Sequence, residues 1–297
     1  MVDFVTATLP AATSWYKSAW NGSICCAVAL SSNTAATSPD GITWTARTLP
    51  VSGFSGLTSD GAQFVGVRSG TSTAYTSPDG ITWTPRTLPS SSTWVDVAWN
   101  GIVFCAISEG TVAATSPDGI TWTPRTLPAS ANSKQGIARA TFGFCVFAFD
   151  TAAVYTSAEG ISWSTVVLPT RDRYSLANDG TTNCVPIYGA DITETSFDGV
   201  TWGDVGLPPS SSWYLAVWDG TEFIAISNTG TAAATSPDGV VWSAYTLPVS
   251  GTWQGLSTGG GITVALREGT NMAIVSSTVL PPGEAFWTER LRATEVV

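Results

Sequence analysis

The chain has 297 residues, 43% of them hydrophobic and only 11% charged, and a formal net charge of −10. Its 12 Lys and Arg are too few for the clustered basic footprint that releases phosphate counterions, so nucleic acid is not an expected partner and an anionic membrane surface is disfavoured. The absence of any histidine removes the Ser-His-Asp triad, the His general base and the usual catalytic zinc site.

Read in order, the chain opens on Met1-Val2-Asp3-Phe4, which has neither the basic flank nor the apolar core of a signal peptide. No run of about 18 apolar residues follows, so no membrane-spanning helix is expected. The next feature is a fourteen-residue sentence, Thr-Ser-Pro-Asp-Gly-Ile-Thr-Trp-Thr-Pro-Arg-Thr-Leu-Pro, present letter for letter at 76–89 and 115–128. A copy at 37–50 differs only by Ala46, and degenerate copies end at Pro169, Pro208 and Pro248. Their tryptophans, Trp44, Trp83, Trp122, Trp163, Trp202 and Trp242, are spaced by 39, 39, 41, 39 and 40 residues. Self-similarity at about 40 residues marks a repeat architecture.

Each unit carries four short apolar runs; in the third they are 94–99, 103–107, 112–115 and 121–126. Their length and flanking turn residues predict strands, here lettered a to d. Strands a and b are joined by Asn21-Gly22, Asp60-Gly61, Asn100-Gly101, Asp179-Gly180 and Asp219-Gly220, which supply the positive φ values of a tight hairpin. Strands c and d are joined through Pro-Asp-Gly. Pro85 and Pro124 mark strand d as a sheet edge, because proline cannot donate to a ladder.

Counting a–b–c sets gives seven, beginning at Trp15, Phe54, Trp94, Lys134, Arg173, Trp213 and Trp253. The expected fold is therefore all-β: a single seven-bladed β-propeller of four-stranded antiparallel blades over 1–277, closed by the N-terminal strand 2–8. Residues 278–297 are then a C-terminal tail; the alternative is that 287–294 supplies the closing strand. Of the five cysteines, Cys26, Cys105, Cys145 and Cys184 share a register that Val65, Ile224 and Val264 fill in other units, so they read as buried apolar positions on separate blades. Cys25 stands beside the first of them. Free thiols are expected, with no disulfide, no metal site and no cofactor.

The Ser-Pro-Asp-Gly-Ile-Thr-Trp repeat resembles the Asp-box, or BNR repeat, of sialidases and related propellers, although Asp40-Gly41, Asp79-Gly80, Asp118-Gly119, Asp198-Gly199 and Asp238-Gly239 make its turn one residue shorter. Glu159-Gly160 is the degenerate copy. The resemblance implies a structural c–d turn, with Asp bonding turn backbone and Trp packing between blades. The near-identical Thr-Leu-Pro links also resemble propellers of bacteriophage virion proteins. That implies a virion surface, tail, fibre or decoration component, made in the host cytoplasm, with other virion proteins as partners and a capacity for homo-oligomers. The arginine triad of sialidases is missing: there is no Arg-Ile-Pro, and Arg47, Arg86 and Arg125 share one register of the outer strand.

The candidate ligand site is the set of residues that open the innermost strands: Trp15, Phe54, Trp94, Lys134, Arg173, Trp213 and Trp253. As a ring around one channel mouth they would offer aromatic faces to sugar rings. The alternative is that they cap the core, as large aromatics usually do. Trp20, Trp99 and Trp218, and also Tyr16 and Tyr214, read as packing residues. Phe286, Trp287, Arg290 and Arg292 in the tail are the candidate partner-binding residues. No catalytic residue is assigned and no enzymatic activity is expected. Binding of a host surface glycan or a virion partner is the expected function, with a purely structural decoration or assembly role as one alternative. Glycoside hydrolysis by two carboxylates among Glu109, Asp150, Asp191 and Glu268 is the other.

Overall fold

The computed structural model describes residues 3–131, 134–148, 152–210 and 212–277. Every regular element among them is a β-strand. The local reasons are legible in the turns. Asn21 Oδ1 accepts the backbone N–H groups of Ser23 and Ile24 at 3.1 and 3.0 Å, and Asp60, Asn100, Asp179 and Asp219 cap their own hairpins the same way. The glycine that follows each takes a φ between 90° and 104°, where a Cβ would be strained. In the c–d turns Asp79 Oδ1 accepts the N–H groups of Ile81 and Thr82, both at 2.8 Å, and the hydroxyl of Ser77. The indole N–H of Trp83 then bonds the carbonyl of Gly80. Asp40, Asp118, Asp198 and Asp238 repeat this turn. A side chain bonding its own turn is what allows so short a connection.

Among the described residues hydrogen bonding joins the strands into five sheets, of seven, six, five, four and four strands. Trp15–Trp20, Cys25–Ala29, Thr34–Ser38 and Thr45–Thr48 form one four-stranded blade, and Lys134–Ala140, Gly143–Ala148, Ala153–Ser157 and Ser164–Val167 form another. Between them lie two blades that share one continuous strand, Thr84–Trp99. Its first part pairs with Phe64–Ser77 and its second with Phe104–Ser108. This is a propeller-like arrangement of four consecutive blades. The remaining strands are grouped differently. Asp172–Arg173 and Ala177–Asn178 are two short pieces that pair separately with Asn183–Tyr188. Strand Ser243–Gly259 runs unbroken between neighbours, and the N-terminal strand Val5–Thr13 pairs with Thr270–Ser277, Val5 opposite Val275.

The expectation of seven separate four-stranded blades is corrected by this connectivity. The physical reason lies in the Leu-Pro links. Where the b–c hairpin is long, its backbone pairs with the link, as Ser69 with Thr93 and Thr229 with Thr252, so that two units fuse into one sheet. At link 50–53 Gly53 turns to φ 80° and the ladder stops, whereas the same four residues at 248–251 keep Gly251 in the ladder opposite Gly230.

The core sits between neighbouring units. Cys26 and Val28 of one pack with Phe54, Phe64 and Trp83 of the next. All five cysteines are buried and unpaired. Burial pushes the thiols of Cys26 and Cys184 up to about 12, which makes them inert packing groups. Residues 278–297, and with them Phe286, Trp287, Arg290 and Arg292, lie outside the described residues.

Candidate functional site

Six of the seven residues that open the innermost strands are core. Trp15, Phe54, Trp94, Trp213 and Trp253 are fully buried, so none presents a face to a ligand. Each indole N–H is spent on a backbone carbonyl: Trp15 on Ala11, Trp94 on Thr71, Trp213 on Pro208 and Trp253 on Gly230, at 3.0–3.3 Å. These tryptophans clamp the link or the b–c hairpin above them. Lys134 opens the strand Lys134–Ala140 and pairs with Ala148. Trp99 and Trp218 pack on Phe104 and Phe223, with ring centroids 4.4 and 4.8 Å apart, and Trp20 joins a neighbouring core cluster.

Arg173 occupies the same slot by other means. Its side chain is buried and donates to the Pro169 carbonyl at 2.9 Å, as Trp213 does to Pro208. The charge is met by Glu194, whose two carboxylate oxygens take Nε at 2.5 Å and Nη2 at 2.7 Å. Glu194 stands where other units have Ala36, Tyr75, Ala114, Tyr155 or Ala234. Arg171 extends the network, bonding Glu194 at 3.0 Å and gripping Asp204 with both terminal nitrogens. This chain of charges runs outward through one unit and holds it together.

The residue after the clamp sits at a break in the ladder. In six units the ladder shifts register between the clamp and the second residue beyond it: Trp15/Lys17, Phe54/Gly56, Trp94/Asp96, Lys134/Gly136, Trp213/Leu215 and Trp253/Gly255. Such a bulge leaves one residue unpaired and re-aims the side chains around it. Tyr16, Tyr214 and Gln254 are residues of this kind, and Tyr174 follows Arg173 where that innermost strand breaks.

At the bulge, Lys17 Nζ reaches Asp96 Oδ2 at 3.1 Å, joining two units across the one between them. Glycines make the crossing possible. A Cβ on Gly56 would stand 2.7 Å from the Cα and Oδ1 of Asp96, and one on Gly136 would stand 3.0 Å from Oδ2. A Cβ on Gly255 would press on the Tyr16 carbonyl. Burial pushes the Asp96 carboxyl up, and Lys17 only partly offsets this. For Lys17 burial acts downward, yet Asp96 and the nearby Tyr16 outweigh it and raise the ammonium above its ordinary value. The pair is therefore a fixed ionic strut.

A pocket of about 200 Å³ opens beside this strut, lined by Lys17, Asp96, Tyr174, Ser175 and Gln254 and by apolar residues such as Ile137, Phe147, Leu215 and Leu256. Two of its lining residues lead to further tyrosines: Tyr174 stands 4.4 Å from Tyr214, with Tyr188 5.7 and 6.4 Å from the two rings, and Lys17 sits 5.4 Å above the Tyr16 ring. Burial, with Tyr16, Tyr174 and Glu268 nearby, pushes the Tyr214 hydroxyl up to about 12. Gln254 donates to Glu268 at 3.0 Å. Serines stitch the floor: Ser175 Oγ donates to the Tyr214 carbonyl and accepts from the Ala216 N–H, and Ser18 bonds Ser257. The arrangement offers aromatic faces ringed by one ammonium, two carboxylates, an amide and hydroxyls.

Sequence reasoning puts the candidate ring on residues of which six are buried, and Tyr16, Tyr174 and Tyr214 beside the pocket follow three of them by one position. Tyr16 and Tyr214 were visible next to tryptophans but read as packing. The Lys17–Asp96 contact joins positions 79 residues apart and leaves no local signal. Of the acidic residues, Glu109 and Asp191 are exposed on separate units, Asp191 bonding the Ser210 N–H, and Asp150 lies outside the described residues. Glu268 alone of the four is tied to the pocket. Arg47, Arg86 and Arg125 lie along strand d, each bonding the threonine of its own strand c at 2.9–3.0 Å. Among the described residues no three His, Cys, Asp or Glu side chains are grouped to hold a metal.

No protein-family model matches the chain, and no curated protein sequence matches it. Solved structures do resemble it. Virginiamycin B lyase from Staphylococcus aureus superposes with a TM-score of 0.76 at 10% identity, covering 94% of this chain and 100% of the lyase. YCF48 bound to D1 peptide gives 0.73 at 15% identity, covering 93% and 97%. The Pan2 WD40 domain of Neurospora crassa gives 0.72 at 8% identity, covering 94% and 97%. At such identities the likeness shows a propeller-like fold and nothing finer. It corrects two expectations. The fold gives no ground for a chain without enzymatic activity, since a lyase is built on it over its whole length. The virion assignment finds no support in these structures either, since the likeness is one of fold alone.

Proposed function

We propose that this chain binds a saccharide, or another small polyhydroxylated ring, at the pocket mouth formed by Tyr16, Tyr174, Tyr188 and Tyr214 beside the Lys17–Asp96 strut. The observation that carries this reading is the cluster of Tyr174, Tyr188 and Tyr214 beside polar groups that are already fixed, with Tyr16 beneath the Lys17 ammonium. Tyrosine faces take the apolar C–H side of a sugar ring, while Lys17, Gln254, Glu268 and the tyrosine hydroxyls meet its hydroxyls. Groups held in place before binding lose little entropy on binding, which favours affinity from a small contact.

The test is a panel of mono- and oligosaccharides, including bacterial surface polysaccharides, followed by saturation-transfer NMR and calorimetry. Saturable binding that weakens about tenfold or more in Tyr174→Ala/Tyr214→Ala supports the assignment. Absence of binding across the panel, or binding untouched by the double substitution, contradicts it.

A catalytic reading of the same pocket rests on Asp96, a buried carboxyl held above the ordinary range in a cleft. Glycoside hydrolysis needs a second carboxyl, and Glu268 is the one near this mouth. Product analysis after prolonged incubation decides the point: turnover lost in Asp96→Asn, with binding kept, supports this reading, and no product from any bound saccharide contradicts it.

A further inference from the structure

Outside the tyrosine pocket, two adjacent hairpins depart from the repeat at matched positions. The strand Lys134–Ala140, which contributes Gly136 and Ile137 to that pocket, runs on into one of them. Arg139 pairs with Phe144 as Trp99 pairs with Phe104 and Trp218 with Phe223, so an arginine holds the place of a tryptophan. Ala140 follows, where Asn21, Asp60, Asn100, Asp179 and Asp219 cap their hairpins. Asn21 and Asn100 also donate to the Pro78 and Ala158 carbonyls in the turn of the next unit, a bridge that alanine cannot make. At the third turn position Ile102 and Phe142 replace the small or polar Ser23, Ala62, Thr181 and Thr221, and Ile102 is 79% exposed.

These departures meet at one pocket of about 280 Å³, whose lining includes Asn100, Ile102, Arg139, Thr141, Phe142 and Asn178. No acidic side chain belongs to that lining, on a chain that carries 22 Asp and Glu. Arg139 is exposed there, and among the described residues no carboxylate or carbonyl takes its guanidinium. The contrast with Arg173 is direct. That arginine also stands in a tryptophan's slot, but Glu194 and the Pro169 carbonyl occupy its fork. The Asn178 amide is spent on the Arg139 backbone carbonyl at 2.9 Å, which ties two neighbouring units together beside the pocket. Thr141 Oγ1 accepts from the Asn183 amide at 2.8 Å, which leaves its own proton free to donate. One pocket therefore combines a free guanidinium, a hydroxyl donor and the apolar Ile102 and Phe142. A guanidinium fork matches the paired oxygens of a carboxylate or a phosphate.

We infer that this pocket binds a small organic anion, a carboxylate or phosphate monoester carried on an apolar body. Arg139 takes the oxygens, Thr141 donates a further hydrogen bond, and Ile102 and Phe142 cover the apolar part. The site is separate from the tyrosine pocket and does not rest on the saccharide reading.

The test is an NMR titration of the arginine Nε–Hε resonances of the full chain, with Arg139 assigned by its loss in Arg139→Gln. Benzoate and phenyl phosphate are the anionic probes, benzamide is the neutral probe of similar shape, and inorganic phosphate is the anion without an apolar body. The expected result is a saturable shift of the Arg139 resonance with at least one aromatic anion, the tighter of the two naming the head group. Affinity measured by calorimetry should fall about tenfold or more in Arg139→Gln. Ile102→Ser, which restores a residue of the repeat, should weaken the aromatic anions and leave inorganic phosphate unchanged. Both positions are exposed, and an unchanged melting temperature checks that the variants are folded. The inference is overturned by no saturable shift of Arg139 with either aromatic anion, or by affinity untouched in Arg139→Gln. Benzamide binding as tightly as benzoate, or inorganic phosphate as tightly as phenyl phosphate, also overturns it. So does binding lost in Tyr174→Ala/Tyr214→Ala, which would place the anion in the tyrosine pocket.

Discussion

Two units solve one packing problem differently. The unit that begins at Trp213 fills its innermost slot with an indole, which buries a large apolar surface and needs one carbonyl acceptor. The unit that begins at Arg173 fills the same slot with a guanidinium, which keeps the carbonyl bond but requires Glu194 where its neighbours carry alanine or tyrosine. The first solution is tolerant, because an apolar plug asks nothing of strand c. The second is conditional, because a buried charge without its partner is strongly unfavourable. The conditional unit is also the one whose innermost strand is broken into two short pieces. That break sets Tyr174 beside Tyr214 and Tyr188. The irregular unit thus supplies the ring around which the proposed site gathers.

The comparison can be broken from either side. Glu194→Ala is expected to destabilise by about 3–5 kcal/mol in denaturant unfolding, since it strands Arg173 in the core. Trp213→Ala should cost a similar amount, about 3–5 kcal/mol, through an unfilled cavity. The two differ in rescue. Arg173→Met/Glu194→Ala should recover most of the loss, within about 2 kcal/mol of the unaltered chain, because an apolar plug again suffices. A double variant no better than Glu194→Ala would show that the ion pair is not interchangeable with an apolar filling.

Gly56→Ala is the next smaller effect, at about 1–3 kcal/mol, because its Cβ collides with Asp96. Its effect on saccharide binding should exceed its effect on melting, since the collision displaces the Lys17–Asp96 strut. Equal proportional losses would deny the strut a part in the site.

Acid exposes a weaker contrast between the turns and the pocket. Asp118, Asp198 and Asp238 are held below the ordinary carboxylate range, first of all by backbone N–H bonds from Thr121, Thr201 and Val241. In Asp40 and Asp79 burial acts upward, but similar bonds together outweigh it. Lowered folded values mean stability that is present above about pH 4 and lost as pH falls through them. Asp96, raised by burial, runs the other way and gains on protonation. These five turns, with Asp179 and Asp204 lowered as well, against one raised pocket carboxyl predict net loss on acidification, and Asp118→Asn should make that loss shallower in melting scans between about pH 5 and 2.

Much of the architecture was legible in the chain. The 40-residue period, the Asn-Gly and Asp-Gly hairpins, the Asp turns and the buried cysteine register are all local chemistry that repeats. The grouping of strands into sheets was not, because it depends on whether a Leu-Pro link happens to pair with the hairpin above it, as at Ser69 and Thr93. The tyrosines of the proposed site were not legible for a related reason. Trp15 and Tyr16 are adjacent, and nothing in their order says that a bulge will bury the first and leave the second beneath Lys17. Glycine at 56, 136 and 255 was the faint signal: a missing side chain beside an innermost strand marks room kept for something else.

The most direct test of the central claim, that recognition sits on the tyrosines and not on the buried clamps, is a fluorine NMR titration of the 3-fluorotyrosine-labelled chain with the saccharide that binds best in the panel. Resonances of Tyr16, Tyr174, Tyr188 and Tyr214, assigned by single Tyr→Phe variants, should shift together and saturate. Those of the buried Tyr75 and Tyr155 should stay still. Saturable binding that leaves all four mouth tyrosines unmoved, or that shifts Tyr75 or Tyr155 instead, would contradict the account and place the ligand elsewhere on the molecule.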